Sequence, residues 1–208
     1  MKRSLWSVVA IIAVSVAGLG ATAAPANAAA PGCKSTISGT VYGNLSVAAG
    51  KTCTLKNARI LGTVTLGKGS TLRVTGGSIS GNVAATNSST AVKLVSTTIN
   101  GTVKLGSSRW LDVSKSKLNG SVSVASASTG IAVAGSRVGG SLTLARSAKI
   151  AVSKNTILGN VKLDRSRKVT VNGNTVNGNL GCTANSPAPT GSKNAVRGTR
   201  SGQCKSLR

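Results

Sequence analysis

Between residues 41 and 182 the chain states one seven-residue phrase eight times: apolar, any, Gly, polar, apolar, any, apolar. The phrase begins at Val41, Ile60, Ile79, Ile99, Leu118, Val138, Ile157 and Val176, so successive starts are 19 or 20 residues apart. A short period held over this length marks a solenoid, in which each repeat buries its apolar side chains only by stacking on its neighbours.

Written beneath one another, the repeats sort into columns. The fifth position is Leu45, Val64, Val83, Val103, Val122, Leu142, Val161 and Leu180; the third is Gly throughout. A second apolar pair follows a polar turn: Cys53/Leu55, Leu72/Val74, Val92/Leu94, Leu111/Val113, Ile131/Val133, Ile150/Val152 and Val169/Val171. Apolar and polar residues alternate within each stretch, which is the period of a strand with one buried face. Val, Ile and Thr fill the strands and Gly, Ser and Asn the turns, as their conformational preferences require. No apolar stripe follows a helical period. Each repeat therefore accommodates three short strands and three corners, predicting an all-β, right-handed parallel β-helix, a triangular solenoid of about eight coils, with its hand following that of parallel crossovers. At the spacing of paired strands, eight levels span roughly 35–40 Å. The absence of Phe fits a narrow prism filled by layers of Val, Ile and Leu, where an aromatic ring would overpack a layer. The Gly column reads as a corner where the backbone turns or approaches closely.

The segments flanking the repeats have different characters. Lys2 and Arg3 precede an apolar run from Leu5 to Leu19 and small residues ending Ala26-Asn27-Ala28, the form of a secretory leader with cleavage after Ala28. The expected organisation is a signal peptide over 1–28, an N-terminal cap over 29–40, the β-helix over 41–181, and a C-terminal disulfide-bounded cap with a basic tail over 182–208. No later stretch is long and apolar enough to span a membrane. A solenoid exposes unpaired strand edges at its two ends, and the four cysteines fall there. Of three possible pairings, only Cys33 with Cys53 and Cys182 with Cys204 avoids joining opposite ends of the prism. Such bonds persist in an oxidising, extracellular setting. Metal binding by the cysteines is disfavoured, because the chain has no C-x-x-C pair and no His.

The net charge is +24, with Asp112 and Asp164 as the only acids. Self-repulsion on this scale calls for an anionic partner or surface, or serves solubility alone. The turn between the two apolar stretches carries Lys51, Lys68, Arg109, Arg146, Lys149, Arg165, Arg167 and Lys168. The corner before each phrase adds Arg59, Lys115, Lys117, Arg137 and Lys154. Stacked along the prism, these would form positive ribs suited to an extended, non-specifically bound polyanion: teichoic acid, acidic polysaccharide or extracellular DNA. Platforms for stacking bases or sugars are scarce, because beyond the leader only Tyr42 and Trp110 are aromatic. Trp110, beside Arg109 in a basic turn, is either a contact residue or half-buried against a neighbouring coil.

The stretch "TVNGNTVNGNL" (170–180) resembles the coils of right-handed parallel β-helix proteins of the pectate-lyase-like superfold. The ending "GNLGCTANSPAPTGSKNAVRGTRSGQC" (178–204) is similar to the closing segment of small secreted β-helix proteins of Gram-positive bacteria, whose function is unassigned. The resemblance implies the fold and brings no activity with it. Pectate lyases of this superfold hold calcium with clustered Asp residues beside an Arg or Lys base, and related hydrolases use paired carboxylates. This chain departs from both patterns. Asp112 and Asp164 fall in different columns nearly three coils apart, too far for a glycosidase pair, and too few for calcium. With no His, nucleophile–base arrangements are missing. Gly62-Thr63-Val64-Thr65-Leu66-Gly67-Lys68-Gly69 approximates a phosphate-binding loop but ends in Gly69 and lies within a coil, so it reads as chance.

No cofactor or catalysis is expected. The sequence reading is a secreted, extracellular or cell-wall-associated, non-catalytic β-helix that holds anionic envelope polymers through its basic ribs. Alternatives are a structural or self-assembling surface module, an ice-binding face, for which Thr pairs only at Thr63/Thr65, and more distantly a carbohydrate-active enzyme.

Overall fold

The computed structural model describes residues 32, 33, 35–85 and 89–207; the leader read over 1–28 lies outside them. Among the described residues every regular element is a strand and every strand pairing is parallel, stacked as a β-solenoid of about nine coils. Coils are numbered here from their first-face strands, coil 1 at Thr40–Val41 and coil 9 at Ala195–Val196. The first face is a nine-stranded ladder of two-residue strands. The second runs from Leu45–Val47 through Val64–Leu66 and Val83–Ala85 to Leu180–Thr183 and Arg200–Gly202. The third runs from Thr36–Ile37 through Thr52–Lys56 and Thr71–Thr75 to Val169–Asn172. In coils 4 and 5 single strands, Val103–Ser114 and Val122–Ala134, pass unbroken from the second face to the third.

Register places like on like. Val103 pairs with Val83 below and Val122 above, and Ile99 with Ile79 and Leu118. The stacked Val, Ile and Leu columns form one continuous buried core. Its branched side chains fill the prism in layers, each closed by the next.

The glycine column marks close stacking. At Gly81 an added Cβ would lie 2.6 Å from the Gly62 carbonyl carbon one coil below, while the Gly81 amide donates to the Gly62 carbonyl at 3.0 Å. Only absence of a side chain permits this approach.

The corners bury more polar chemistry than a turn composition announces. Between the third and first faces, Thr97, Ser116, Ser136, Asn155, Asn174 and Asn194 are buried one above another. Each backbone amide from Thr97 to Asn174 donates to the side-chain oxygen one coil above: Thr97 to Ser116 at 3.2 Å, Ser116 to Ser136 at 3.0 Å, Ser136 to Asn155 at 2.9 Å, Asn155 to Asn174 at 3.0 Å and Asn174 to Asn194 at 3.1 Å. The side-chain amides of Asn155, Asn174 and Asn194 return to the carbonyls of Val133, Val152 and Val171 at 2.7, 2.9 and 2.8 Å. Where the chain leaves its ladders, these columns supply the missing partners, so that bending it leaves few groups unpaired. The phrase's polar fourth position does the same at the first-to-second corner, where Asn44, Asn82 and Asn160 accept from the amides of Thr63, Thr102 and Asn179, each at 2.8 Å.

The ends are held as the spacing required. Cys33 is bonded to Cys53 and Cys182 to Cys204, with Cα separations of 5.6 and 5.1 Å. The expected count of about eight coils is one short. Ala195–Val196 pairs with Thr175–Val176, and Arg200–Gly202 with Leu180–Thr183, so part of the closing segment winds a further coil. This coil escapes the phrase because Arg200 and Gly202 occupy the positions that are apolar in the other eight. It lies at an end, where nothing stacks on its outer side and an apolar residue has less to bury against.

Candidate polyanion interface

The eight basic residues of the second-to-third corner are all exposed, in coils 1 (Lys51), 2 (Lys68), 4 (Arg109), 6 (Arg146, Lys149) and 7 (Arg165, Arg167, Lys168). The corner of coil 5 instead carries Ala125-Ser126-Ala127-Ser128-Thr129. The rib therefore divides, with a sparse run on coils 1–4 and a dense one on coils 6 and 7. The structure brings Arg146, Arg165 and Arg167 together around one notch of about 310 Å³ and puts Lys149 on the rim of another concavity; Lys51, Lys68 and Arg109 line neither. Several of these residues sit in the left-handed backbone region, with φ of 44° at Arg146, 45° at Arg165 and 46° at Lys168. That conformation costs a residue with a Cβ about 1 kcal/mol relative to Gly. At the other basic corner Arg59, Lys115, Lys117, Arg137 and Lys154 are likewise exposed, Lys117 and Arg137 being paired neighbours on the first face.

The two acids sit three coils apart and each has a basic neighbour. Asp112, on the third face, lies 3.7 Å from Lys93 Nζ. Asp164, buried at the end of a second-face strand, accepts a hydrogen bond from Arg165 Nε at 2.8 Å. A charged hydrogen bond of this kind is shorter and stronger than a neutral one, and it fixes the base of the Arg165 side chain while leaving the outer guanidinium nitrogens free of Asp164. Among the described residues no group of three or more His, Cys, Asp or Glu side chains could hold a metal ion, and no helix is long and apolar enough to cross a membrane.

Trp110 lies on a strand, not in a turn. The register between coils 4 and 5 shifts between Ser108 and Trp110, where one residue of coil 4 stands against two of coil 5. This irregularity absorbs one of the 20-residue steps, and Trp110, immediately before the buried Leu111, stands outward and half-buried on the third face. The Arg73 guanidinium carbon is 5.9 Å from the indole centroid, within cation–π range. Directly above Trp110 in its column stands Gly130, and beside it the outward column passes from Arg73, Lys93 and Asp112 to Ala132 and Ala151. Large side chains on coils 2–4 thus drop to small ones on coils 5 and 6, leaving a shelf of about 470 Å³ walled by Trp110, Asp112 and Lys149.

Arg73, Lys93 and Asp112 join Trp110 here although the rib reading passed over the first two. Their signal was present, since each is the middle residue between a second apolar pair and so belongs to one outward column. No protein-family model, no curated protein and no solved structure matches this chain, and its standing as a parallel β-solenoid rests on its own ladders.

Proposed function

We propose that this protein is a secreted, non-catalytic β-solenoid that binds anionic cell-envelope polymers through its basic corners. The observation carrying this reading is the dense run Arg146, Lys149, Arg165, Arg167 and Lys168 on two successive coils, all exposed and accompanied on that corner by one carboxylate, Asp164. Coils follow at about the strand spacing of 4.8 Å, so cations on adjacent coils face successive charges of an extended polyanion without rearrangement of the scaffold. Two disulfides accord with an oxidising compartment. The resemblance to small secreted right-handed β-helix proteins, and the leader-like residues 1–28, point the same way. Non-catalytic action is supported by the chain's lack of His and by two carboxylates that lie three coils apart, each beside a cation.

The test is binding of the oxidised protein to purified cell wall, with and without its anionic polymer, across a salt series. If about five phosphates are engaged, affinity falls about a hundredfold between about 50 and 200 mM salt. Binding that ignores salt, or survives removal of the anionic polymer, would overturn the reading.

A further inference from the structure

The arginine notch and the tryptophan shelf are neighbours. Ser128 lines the notch and Thr129 the shelf; on the next coil Ala148 lines the notch and Lys149 the shelf. We infer that the two form one composite site for a phosphate-linked sugar unit, with the phosphate among Arg146, Arg165 and Arg167 and the sugar ring against Trp110. The inference rests on the polyanion reading above and names a specific locus and ligand chemistry within it.

Three guanidinium groups around a concavity suit a tetrahedral oxyanion, because each planar fork can donate two parallel hydrogen bonds to phosphate oxygens. The uncharged residues Ala127 and Ser128 provide the space; an Arg or Lys on coil 5 would fill it. Asp164 holds Arg165 through Nε at 2.8 Å, so this arginine is a pre-oriented donor. The shelf has different chemistry. Arg73 lies 5.9 Å from the indole centroid, and the floor beside the ring is made by Gly130, Ala132 and Ala151. An aromatic wall over a small apolar floor receives the C–H face of a pyranose. Asp112 can only accept hydrogen bonds while ionised, and its 3.7 Å contact with Lys93 leaves acceptor capacity for hydroxyl donors. Single-stranded nucleic acid is served less well, because it stacks on successive aromatic platforms. Among the described residues Trp110 is the only aromatic on this face, Tyr42 being on coil 1.

The probes are a synthetic glycerol phosphate oligomer, the same oligomer bearing glucosyl groups, and a thymidine oligonucleotide with the same number of phosphates. Binding is measured by calorimetry and by the Trp110 emission obtained after subtracting the signal of the Trp110→Phe protein. The double variant Arg146→Gln/Arg167→Gln should weaken binding of both glycerol phosphate oligomers about tenfold or more, the scale of lost charged hydrogen bonds. The charge-matched double variant Lys51→Gln/Lys68→Gln should cost less than about threefold at the same salt. Glucosylation should tighten binding and shift Trp110 emission, and Ala132→Leu, which fills the shelf from an outward position, should erase both effects. Equal losses for the two double variants would overturn the notch and leave the diffuse-rib reading standing. Absence of any glucosyl preference or emission shift would overturn the shelf. Preference for the oligonucleotide would overturn the sugar assignment in favour of nucleic acid. Failure of wild-type protein to bind any of the three would sink the polyanion reading itself.

Discussion

Gly101 and Gly173 are both corner glycines, yet stacking gives them unlike roles. A Cβ on Gly101 would press on the carbonyl of Gly81 and the side-chain oxygen of Asn82, with the Gly81 carbonyl carbon at 2.7 Å. At Gly173 the nearest atom to an added Cβ is the flexible Lys154 Cγ at 3.8 Å, and the demand there is only the positive φ of 63°. Gly101→Ala should therefore cost about 2–3 kcal/mol, through separation of two coils whose backbones cannot retreat. Gly173→Ala should cost about 1 kcal/mol, the local conformational penalty alone. Urea melts of both variants check the ordering, and equal losses would mean that coil contact is not what selects the third position. The same distinction explains what was legible in the sequence. The recurrence of Gly was plain, but close approach and left-handed geometry look alike until the neighbouring coil is in place.

At the scale of an element, the buried Asn/Ser column behaves as a second ladder. Asn174 accepts from the Asn155 amide at 3.0 Å, donates to the Val152 carbonyl at 2.9 Å, and its own amide donates to Asn194. Asn174→Ala leaves a buried donor and a buried acceptor without partners and should cost about 2–3 kcal/mol. Asn174→Ser should recover part of that, because Ser116 and Ser136 already serve as acceptors in this column; denaturant midpoints of the two variants measure the difference. The closing element is held by Cys182–Cys204, which spans 22 residues. Replacing both cysteines by Ala should cost about 3 kcal/mol by the chain-entropy estimate. The loss should be local, because each coil interacts mainly with its neighbours. Hydrogen exchange should show lost protection over residues 178–207 with coils 3–5 unchanged; a uniform loss would show that the solenoid unfolds as one unit.

Across the whole molecule, the repeating register makes length adjustable. Deleting residues 60–78 removes one 19-residue repeat and joins Arg59 to Ile79, which occupies the same column as Ile60. The shortened protein should fold cooperatively with a lower Tm, and small-angle scattering should show a length reduced by about 4.8 Å. Loss of folding would mean that the coils are not interchangeable. Charge is also organised at this scale. Its division into a sparse run and a dense run arises because coil 5 contributes only small, uncharged residues to the corner between them.

Chain composition and period alone determined that apolar residues stack in columns, that strands pair in parallel, and that the cysteines close opposite ends. Each follows from a rule restated about every 19 residues, so errors at one repeat are corrected by the next. Tertiary structure decided what depends on sideways contact between columns. It buried the Asn/Ser column that composition assigns to exposed turns, placed Trp110 on a strand beside a one-residue shift at Ser108, and converted residues 195–202 into a further coil. It also set Arg146, Arg165 and Arg167 around one notch while leaving Lys51 and Lys68 apart. Periodicity specifies which residues share a column. Which neighbouring columns meet at a corner depends on how each coil accommodates its odd residue, and that is settled only when the coils are stacked.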